Sequence, residues 1–349
     1  MSESHAKGKL TYAAAGVDIT AGEEAVDRIK QLAARTFSRH VLAGIGSFGG
    51  FFRLDTTGMT SPVLVSSTDS VGTKVKMAFM TDRHDTVGED LVNHCVNDIL
   101  VHGARALYFL DYIGIHKVTP EVVTGLVTGV SRACEANGVA LLGGETAEMP
   151  DLYAPGEYDL AGFIVGIVDE PKIINGSTIK AGDVCIGLAS SGLHTNGYTL
   201  ARKIAFDIAG LKPGDMVEAL GETIDGALMR VHRCYAGLIH PLLSKYTVHG
   251  MAHITGGGIP GNLKRIMPDG LSAVIHKGSW PVPAIFDFLG TKGKIDADEL
   301  YRAFNMGIGY ILVVPSDEAE QITKDLTAAG ETPFRIGEVV TGTAKVVLE

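Results

Sequence analysis

Asp69, Gly72, Thr73 and Lys74 stand within six residues, in the run Asp69-Ser-Val-Gly-Thr-Lys74. A carboxylate for a divalent cation, a flexible glycine, a hydroxyl and an ammonium are the groups that a phosphate-handling turn needs. Residues 62–68 before it read as a strand, and a helical pattern follows, which is where backbone N–H groups commonly meet phosphates. It is not a Walker A loop: the order is Gly-Thr-Lys, and Ser67 stands where the first glycine belongs. An ordinary polar turn is the alternative reading.

Further along, Asp90, His94 and Asp98 recur at i, i+4 and i+8 with Asn97 beside them. They are either the solvated side of an amphipathic helix or oxygen ligands for a hard cation. Gly143-Gly144 delivers Glu145 at a strand end, which suits a metal or substrate site, or a turn with a solvated glutamate. His194 and Asn196 lie in Ser190-Ser-Gly-Leu-His-Thr-Asn-Gly197, which combines capping residues with an imidazole that titrates near neutrality. Gly256, Gly257 and Gly258 precede a helix start at Pro260 and form either an anion cradle or a plain loop. Gly44-Ile-Gly-Ser-Phe-Gly49 matches G-x-G-x-x-G, but residues 51–54 read as extended. A dinucleotide fingerprint requires a helix there, so a glycine-rich turn or a phosphate-covering flap fits better. No catalytic triad, zinc spacing or reactive-cysteine setting is present.

These groups need a scaffold. Residues 20–36 read as an amphipathic helix with Ala25, Ile29, Leu32 and Ala33 on one face. A longer helix over 86–102 buries Val87, Leu91, Cys95 and Ile99. A strand at 107–113, a helix at 120–137 ended by Asn137-Gly138, and strands at 139–142 and 161–168 follow. A boundary falls near Asp169-Glu-Pro171, dividing residues 1–170 from 171–349. Beyond it, strands at 184–189, 250–254, 309–314 and 337–348 alternate with helices at 198–209, 226–246, 297–304 and 316–329. The alternation is not clean enough to demand a parallel sheet, so a mixed α/β (α+β) fold is expected, with a mixed or antiparallel sheet as open as a parallel one.

Composition narrows the class. Apolar residues make up 46% of the 349, enough for one or two buried cores. The 44 glycines sit in clusters between apolar runs, where main chain turns tightly or approaches a ligand. A net charge of −10 without a Lys/Arg cluster argues against nucleic acid. The N-terminus lacks a signal-peptide core and no run is long enough to span a bilayer, so a cytoplasmic protein is expected. Cys95, Cys134, Cys185 and Cys234 are spread too widely for a zinc site or disulfide framework.

In this order, the segments resemble the aminoimidazole ribonucleotide synthetase family. The resemblance covers residues 12–19, the 69–74 turn, Cys95-Val-Asn97-Asp98, residues 143–150 and residues 190–198. It continues through His253-Ile-Thr-Gly-Gly-Gly258, Ser279-Trp280-Pro-Val-Pro283, Phe304-Asn-Met-Gly307-Ile-Gly309 and Ile336-Gly337-Glu338. Ser70 departs from the glycine that many members carry. The first cysteine is Cys95 and the chain ends at Glu349, which speaks against selenophosphate synthetase and hydrogenase-maturation relatives. The resemblance implies a two-domain fold and a homodimer whose N-terminal sheets pair into a barrel. It also implies an ATP-dependent closure of 5′-phosphoribosylformylglycinamidine to 5-aminoimidazole ribonucleotide. On that reading Asp69, Asp98 and Glu145 hold Mg2+, while Lys74, with Gly72, Thr73 and Asn97, meets ATP. His194 assists proton transfer or stabilises the phosphoryl group, Asn196 orients substrate, and Gly256 and Gly257 contact a second anion. A catalytically silent nucleotide-binding homologue is the alternative of another class.

Overall fold

A computed structural model describes residues 19–349; of the motif at 12–19, residues 12–18 lie outside that range. The first half comprises α1 (Ile19–Arg35), β1 (Val41–Ala43), β2 (Phe51–Phe52), β3 (Pro62–Ser70), α2 (Val75–Thr81), α3 (Asp85–Leu100), β4 (Arg105–Ile115), α4 (Pro120–Asn137), β5 (Ala140–Glu148) and β6 (Tyr158–Asp169). Four of its strands form a mixed sheet in the order β3-β6-β4-β5. β6 is antiparallel to both β3 and β4, and β4 is parallel to β5. Strands β3, β4 and β5 therefore run the same way and end at one rim.

One face of this sheet carries α3, against β3, β6 and β4, and beside it α4, against β4 and β5. Val87, Leu91, Cys95 and Ile99 are all buried there, as the helical spacing predicts. Two glycines bring the helices together: a Cβ on Gly88 would lie 2.1 Å from the Leu126 carbonyl oxygen, and one on Gly129 would lie 1.8 Å from that of Asp85. α4 begins with Pro120 in its first turn and ends at Gly138, whose φ of 64° is the left-handed conformation glycine adopts at little cost. On the opposite face Leu64 and Phe163 are exposed, and residues 44–50 lie over part of it.

The second half comprises β7 (Val184–Ala189), α5 (Tyr198–Arg202), β8 (Met216–Val217), β9 (Glu222–Thr223), α6 (Ile224–Leu228), α7 (Ala236–Leu243), β10 (Gly250–His253), α8 (Gly258–Leu263), β11 (Leu271–Ile275), α9 (Ala284–Gly293), α10 (Ala297–Ala303), β12 (Ile308–Val314), α11 (Ala319–Ala328), β13 (Pro333–Thr341) and β14 (Val346–Leu348). Six strands form a sheet in the order β10-β12-β7-β13-β11-β14, antiparallel except where β11 meets β14. Its strands are buried on both faces. Val184, Ile186, Tyr310, Leu312 and Val314 join α7, α11 and the core of the first half, whereas Cys185, Ile311 and Val313 face α5, α8 and α9. The two-residue period of a strand sorts them.

Three sequence expectations need correction. The strand at 139–142 runs on to Glu148, so Gly143, Gly144 and Glu145 lie within β5 rather than in a turn after it. The helix expected over 226–246 is broken into α6 and α7 by segment 230–235. β11 and α9 went unread. Both sheets are mixed, one of the outcomes left open. No helix among the described residues is long and apolar enough to cross a membrane.

Candidate active site

The 69–74 turn forms as its sequence suggests: β3 ends at Ser70, a single 3-10 turn covers Gly72–Lys74, and α2 starts at Val75. Gly72 has φ 52°, and its N–H donates to Ser70 Oγ (3.2 Å). Thr73 Oγ1 shares a hydrogen bond with Thr199 Oγ1 (2.8 Å). Lys74, however, points inward and is fully buried. Its Nζ lies 2.7 Å from Asp90 Oδ2, donates to the Arg230 carbonyl at 2.7 Å, and sits 5.4 Å from the centre of the Tyr198 ring. Burial lowers the Lys74 pKa and raises that of Asp90, while their mutual attraction works the other way on each. In this arrangement the ammonium braces two segments and has no surface to offer a phosphate.

Of the stripe on α3, Asp90, His94 and Asn97 are buried and Asp98 is partly exposed. Asp90 accepts from the His232 N–H (2.6 Å), and Asn93 Nδ2 donates to the His232 carbonyl (2.8 Å). Asn97 Nδ2 donates to the Arg233 carbonyl (2.7 Å), and Asn97 Oδ1 accepts from the Tyr235 N–H (3.0 Å). Three side chains thus supply partners for the main chain of 232–235, which keeps this segment out of a helix. Asn97, expected at the cofactor, is committed to this seam.

Beside the seam lies a chain of close polar contacts that joins two carboxylates. Asp69 Oδ2 is 2.7 Å from His94 Nε2, and His94 Nδ1 is 2.8 Å from Thr195 Oγ1. Thr195 Oγ1 is 3.2 Å from His232 Nδ1, and His232 Nε2 is 2.9 Å from His253 Nε2. His253 Nδ1 is 2.8 Å from Asp98 Oδ1, and Asp98 Oδ2 accepts from Ser67 Oγ at 3.2 Å. Between the two aspartates there are five contacts, each needing one hydrogen. Three neutral imidazoles and one hydroxyl supply four, so filling every contact requires one further proton. Of the three rings, His94 is the one whose carboxylate neighbour favours that proton. The electrostatics agree. Burial depresses His94, but Asp69, with Asp98 and Asp90, more than reverses this. Burial keeps His232 and His253 low. Asp98 is held below the usual carboxylate range, because His253, His94 and Ser67 outweigh its burial.

His194 adjoins this chain without entering it. Its backbone is left-handed (φ 62°) and its ring stacks on His232 at 4.0 Å. Nε2 accepts from the Ser191 N–H (3.2 Å), Nδ1 is buried without a partner, and burial holds the imidazole well below its usual pKa. Asn196 is half-buried, and its Oδ1 would lie 3.4 Å from a Cβ on Gly256, so the Asn196 and Gly256–Gly257 loops face each other.

Glu145 stands apart. Asp69 pairs with Gly162, Gly162 with Asp111 and Asp111 with Gly144, which puts β5 three strands from β3, roughly 14 Å away. Glu145, one residue past Gly144, points to the opposite sheet face. It lines a cavity of about 530 Å3 with Gly46, Phe48, Asp111 and Tyr112, beneath the glycine-rich run of residues 44–50. Burial pushes the Asp111 carboxyl up to about 7. In one chain the structure therefore gathers Asp69 and Asp98, brings Asn196 to Gly256, and leaves Glu145 elsewhere. Sequence reasoning did not single out His232, Thr195 or Asp111. His232 was hidden in a stretch read as helix, whereas Asp111 was visible as an acid inside an apolar strand.

The chain matches known proteins along most of its length. Residues 54–168 match the family described as AIR synthase related protein, N-terminal domain, and residues 180–349 its C-terminal domain. A phosphoribosylformylglycinamidine cyclo-ligase from Syntrophotalea carbinolica is 53% identical over 95% of this chain and 95% of its own. One from Brevibacillus brevis is 48% identical over 96% and 97%. Among solved structures, thiamine-monophosphate kinase from Stenotrophomonas maltophilia superposes with a TM-score of 0.69 at 17% identity, covering 93% of this chain and 96% of that one, a likeness of fold. On these sequence matches, the chain belongs to the phosphoribosylformylglycinamidine cyclo-ligase family, the aminoimidazole ribonucleotide synthetases.

Proposed function

We propose that ring closure takes place at the rim of the N-terminal sheet, between Asp69, Asp98 and the loops carrying Asn196 and Gly256. The enzyme converts 5′-phosphoribosylformylglycinamidine and ATP to 5-aminoimidazole ribonucleotide, ADP and phosphate in purine biosynthesis. An amide carbonyl is a poor electrophile and its oxygen a poor leaving group. Moving the γ-phosphoryl group of ATP onto that oxygen makes an iminophosphate. The substrate's own amine nitrogen then attacks the carbon, and phosphate departs with the oxygen. No protein nucleophile is required, and positioning with charge neutralisation does most of the work.

Asp69 and Asp98 fit a hydrated Mg2+: their side chains are 34% and 27% exposed, and Mg2+ takes one or two carboxylates together with water and phosphate oxygens. Bound there, Mg2+ supplies neutralisation of the negative charge on the transferring group. Thr73 and Gly72 shape the turn beside it, and Lys74 holds that turn against Asp90. Asn196 orients the substrate, Gly256 and Gly257 cradle its phosphate, and His194 fixes the ring of His232. Residues 1–170 carry the nucleotide and dimerisation functions, and 171–349 complete the site.

A homodimer with N-terminal sheets paired into a barrel would cover the exposed Leu64 and Phe163 and close over the cavity that holds Glu145. A cytoplasmic location suits a small-molecule substrate and ATP. The observation that carries this reading is the meeting of Asp69 and Asp98, from a strand end and a helix, around His94 and His253. The test is substrate-dependent ADP release with Asp69→Asn and Asp98→Asn. Turnover falls by about 10²–10³ while the fold is kept; near-normal turnover in either folded variant sinks the assignment.

A further inference from the structure

We propose that His94, Asp98 and His253 form a binding site for a transition-metal ion of the Zn2+ or Co2+ type, with water as the fourth ligand. The ligand atoms of the three lie within 4.8 Å of one another, and Asp69, 2.7 Å from His94 Nε2, flanks the site. Two imidazole nitrogens with one carboxylate oxygen suit a borderline cation, whereas Mg2+ takes oxygen alone.

Ring geometry favours convergence. The His94 and His253 rings stand at 87° with centroids 5.1 Å apart, so two in-plane lone pairs can meet at one point without the rings colliding. The ring nitrogens that face the carboxylates are Nε2 of His94 and Nδ1 of His253. Each remaining nitrogen already has an outer partner: His94 Nδ1 meets Thr195 Oγ1, and His253 Nε2 meets His232 Nε2. Outer contacts of this kind hold metal-ligating histidines in place. The present N···O contact of 2.8 Å between His253 and Asp98 is shorter than the spacing around a metal with bonds of about 2.0–2.1 Å, so the donors part by a few tenths of an ångström when the ion replaces the bridging proton.

A rival trio, His194, His232 and His253, also lies close together. There the rings of His194 and His232 stack at 4.0 Å and 21°, so their lone pairs run side by side and do not converge. Access also differs, since Asp69 and Asp98 are partly exposed while all three of those histidines are buried. The site does not depend on nucleotide, and it shares Asp98 with the Mg2+ position proposed above.

The experiment is a Co2+ titration of the chelator-stripped full chain without nucleotide, read by visible absorption. One equivalent per chain is expected to give the strong bands of a four-coordinate ion, which Zn2+ abolishes by displacement. Asp98→Asn and His253→Gln lose those bands, and Thr195→Val weakens binding by about 10–100-fold, as removal of an outer partner does. His116→Gln, outside the cluster, leaves them unchanged. Weak six-coordinate absorption in the parent chain overturns the proposal. So do bands that survive Asp98→Asn at full strength, a variant whose altered side chain is partly exposed and whose fold is checked by circular dichroism.

Discussion

The Nε2 atoms of His232 and His253 face each other at 2.9 Å in a buried setting, so one imidazole must donate while the other accepts. Protonating both would set two N–H groups head to head with no water between them. Burial disfavours charge on His232 and His253, whereas Asp69 favours a proton on His94.

Stability should consequently fall on the acid side of neutrality. Burial holds His194 and His232 well below, and His253 below, the value near 6.5 at which they titrate once unfolded. Below that pH the unfolded chain binds protons that the folded chain refuses, at up to about 1.4 kcal/mol per pH unit for each ring. Asp98, whose pKa is depressed, also loses its contribution as pH falls. His94, raised by Asp69, acts oppositely: its contribution is present at low pH and is lost as pH rises through its folded value. Urea unfolding between about pH 7.5 and 5.5 should show the net decline, shallower by about one proton in His232→Gln. A flat profile would count against neutral rings.

Lys74→Met separates bracing from catalysis. It leaves the Asp90 carboxylate buried without its cation, which typically costs about 3–5 kcal/mol. Lys74→Met/Asp90→Leu should recover part of that loss. If the single variant instead melts like the parent while turnover collapses, Lys74 acts chiefly on the phosphates.

Asn97→Ala removes two partners at once and strands the Arg233 carbonyl and the Tyr235 N–H. Each unsatisfied buried group costs about 1–3 kcal/mol. The expected result is a lower urea midpoint, with the Michaelis constant for ATP near that of the parent. A change confined to that constant would return Asn97 to the nucleotide.

Two glycine substitutions should differ in sign. Gly129→Ala drives a methyl group into the Asp85 carbonyl and should destabilise by about 1–3 kcal/mol or more. Gly237→Ala, in α7 with nothing within 4 Å of the added carbon, should stabilise by about 0.4–1 kcal/mol. Thermal melting reads both.

Much of the scaffold was visible in the sequence, because periodicity and capping act locally. α4 runs from Pro120 to Asn137 as its proline and Asn-Gly signals indicate, and β7 spans Val184–Ala189 as expected. The helix expected over 226–246 failed for a non-local reason: side chains more than a hundred residues away bind the main chain of 232–235 and interrupt it. The site divided the same way. Asp69 and Asp98 were identified by type and spacing, and the structure brings them to one cluster. Their bridge through His94, Thr195, His232 and His253 could not be read, because it joins elements that only tertiary packing brings together. Glu145 shows the converse, since its motif gives no hint that β5 extends and turns it to the other face.

The zipper of Asp90, Asn93 and Asn97 onto residues 232–235 grips peptide groups on the receiving side and specific side chains on the giving side. Tolerance to substitution should therefore be lopsided across this contact. The zipper's own hydrogen bonds do not involve the side chains of Arg233 and Tyr235, which answer instead to Glu331 and the Ala189 carbonyl. Each altered side chain on α3, by contrast, removes part of it.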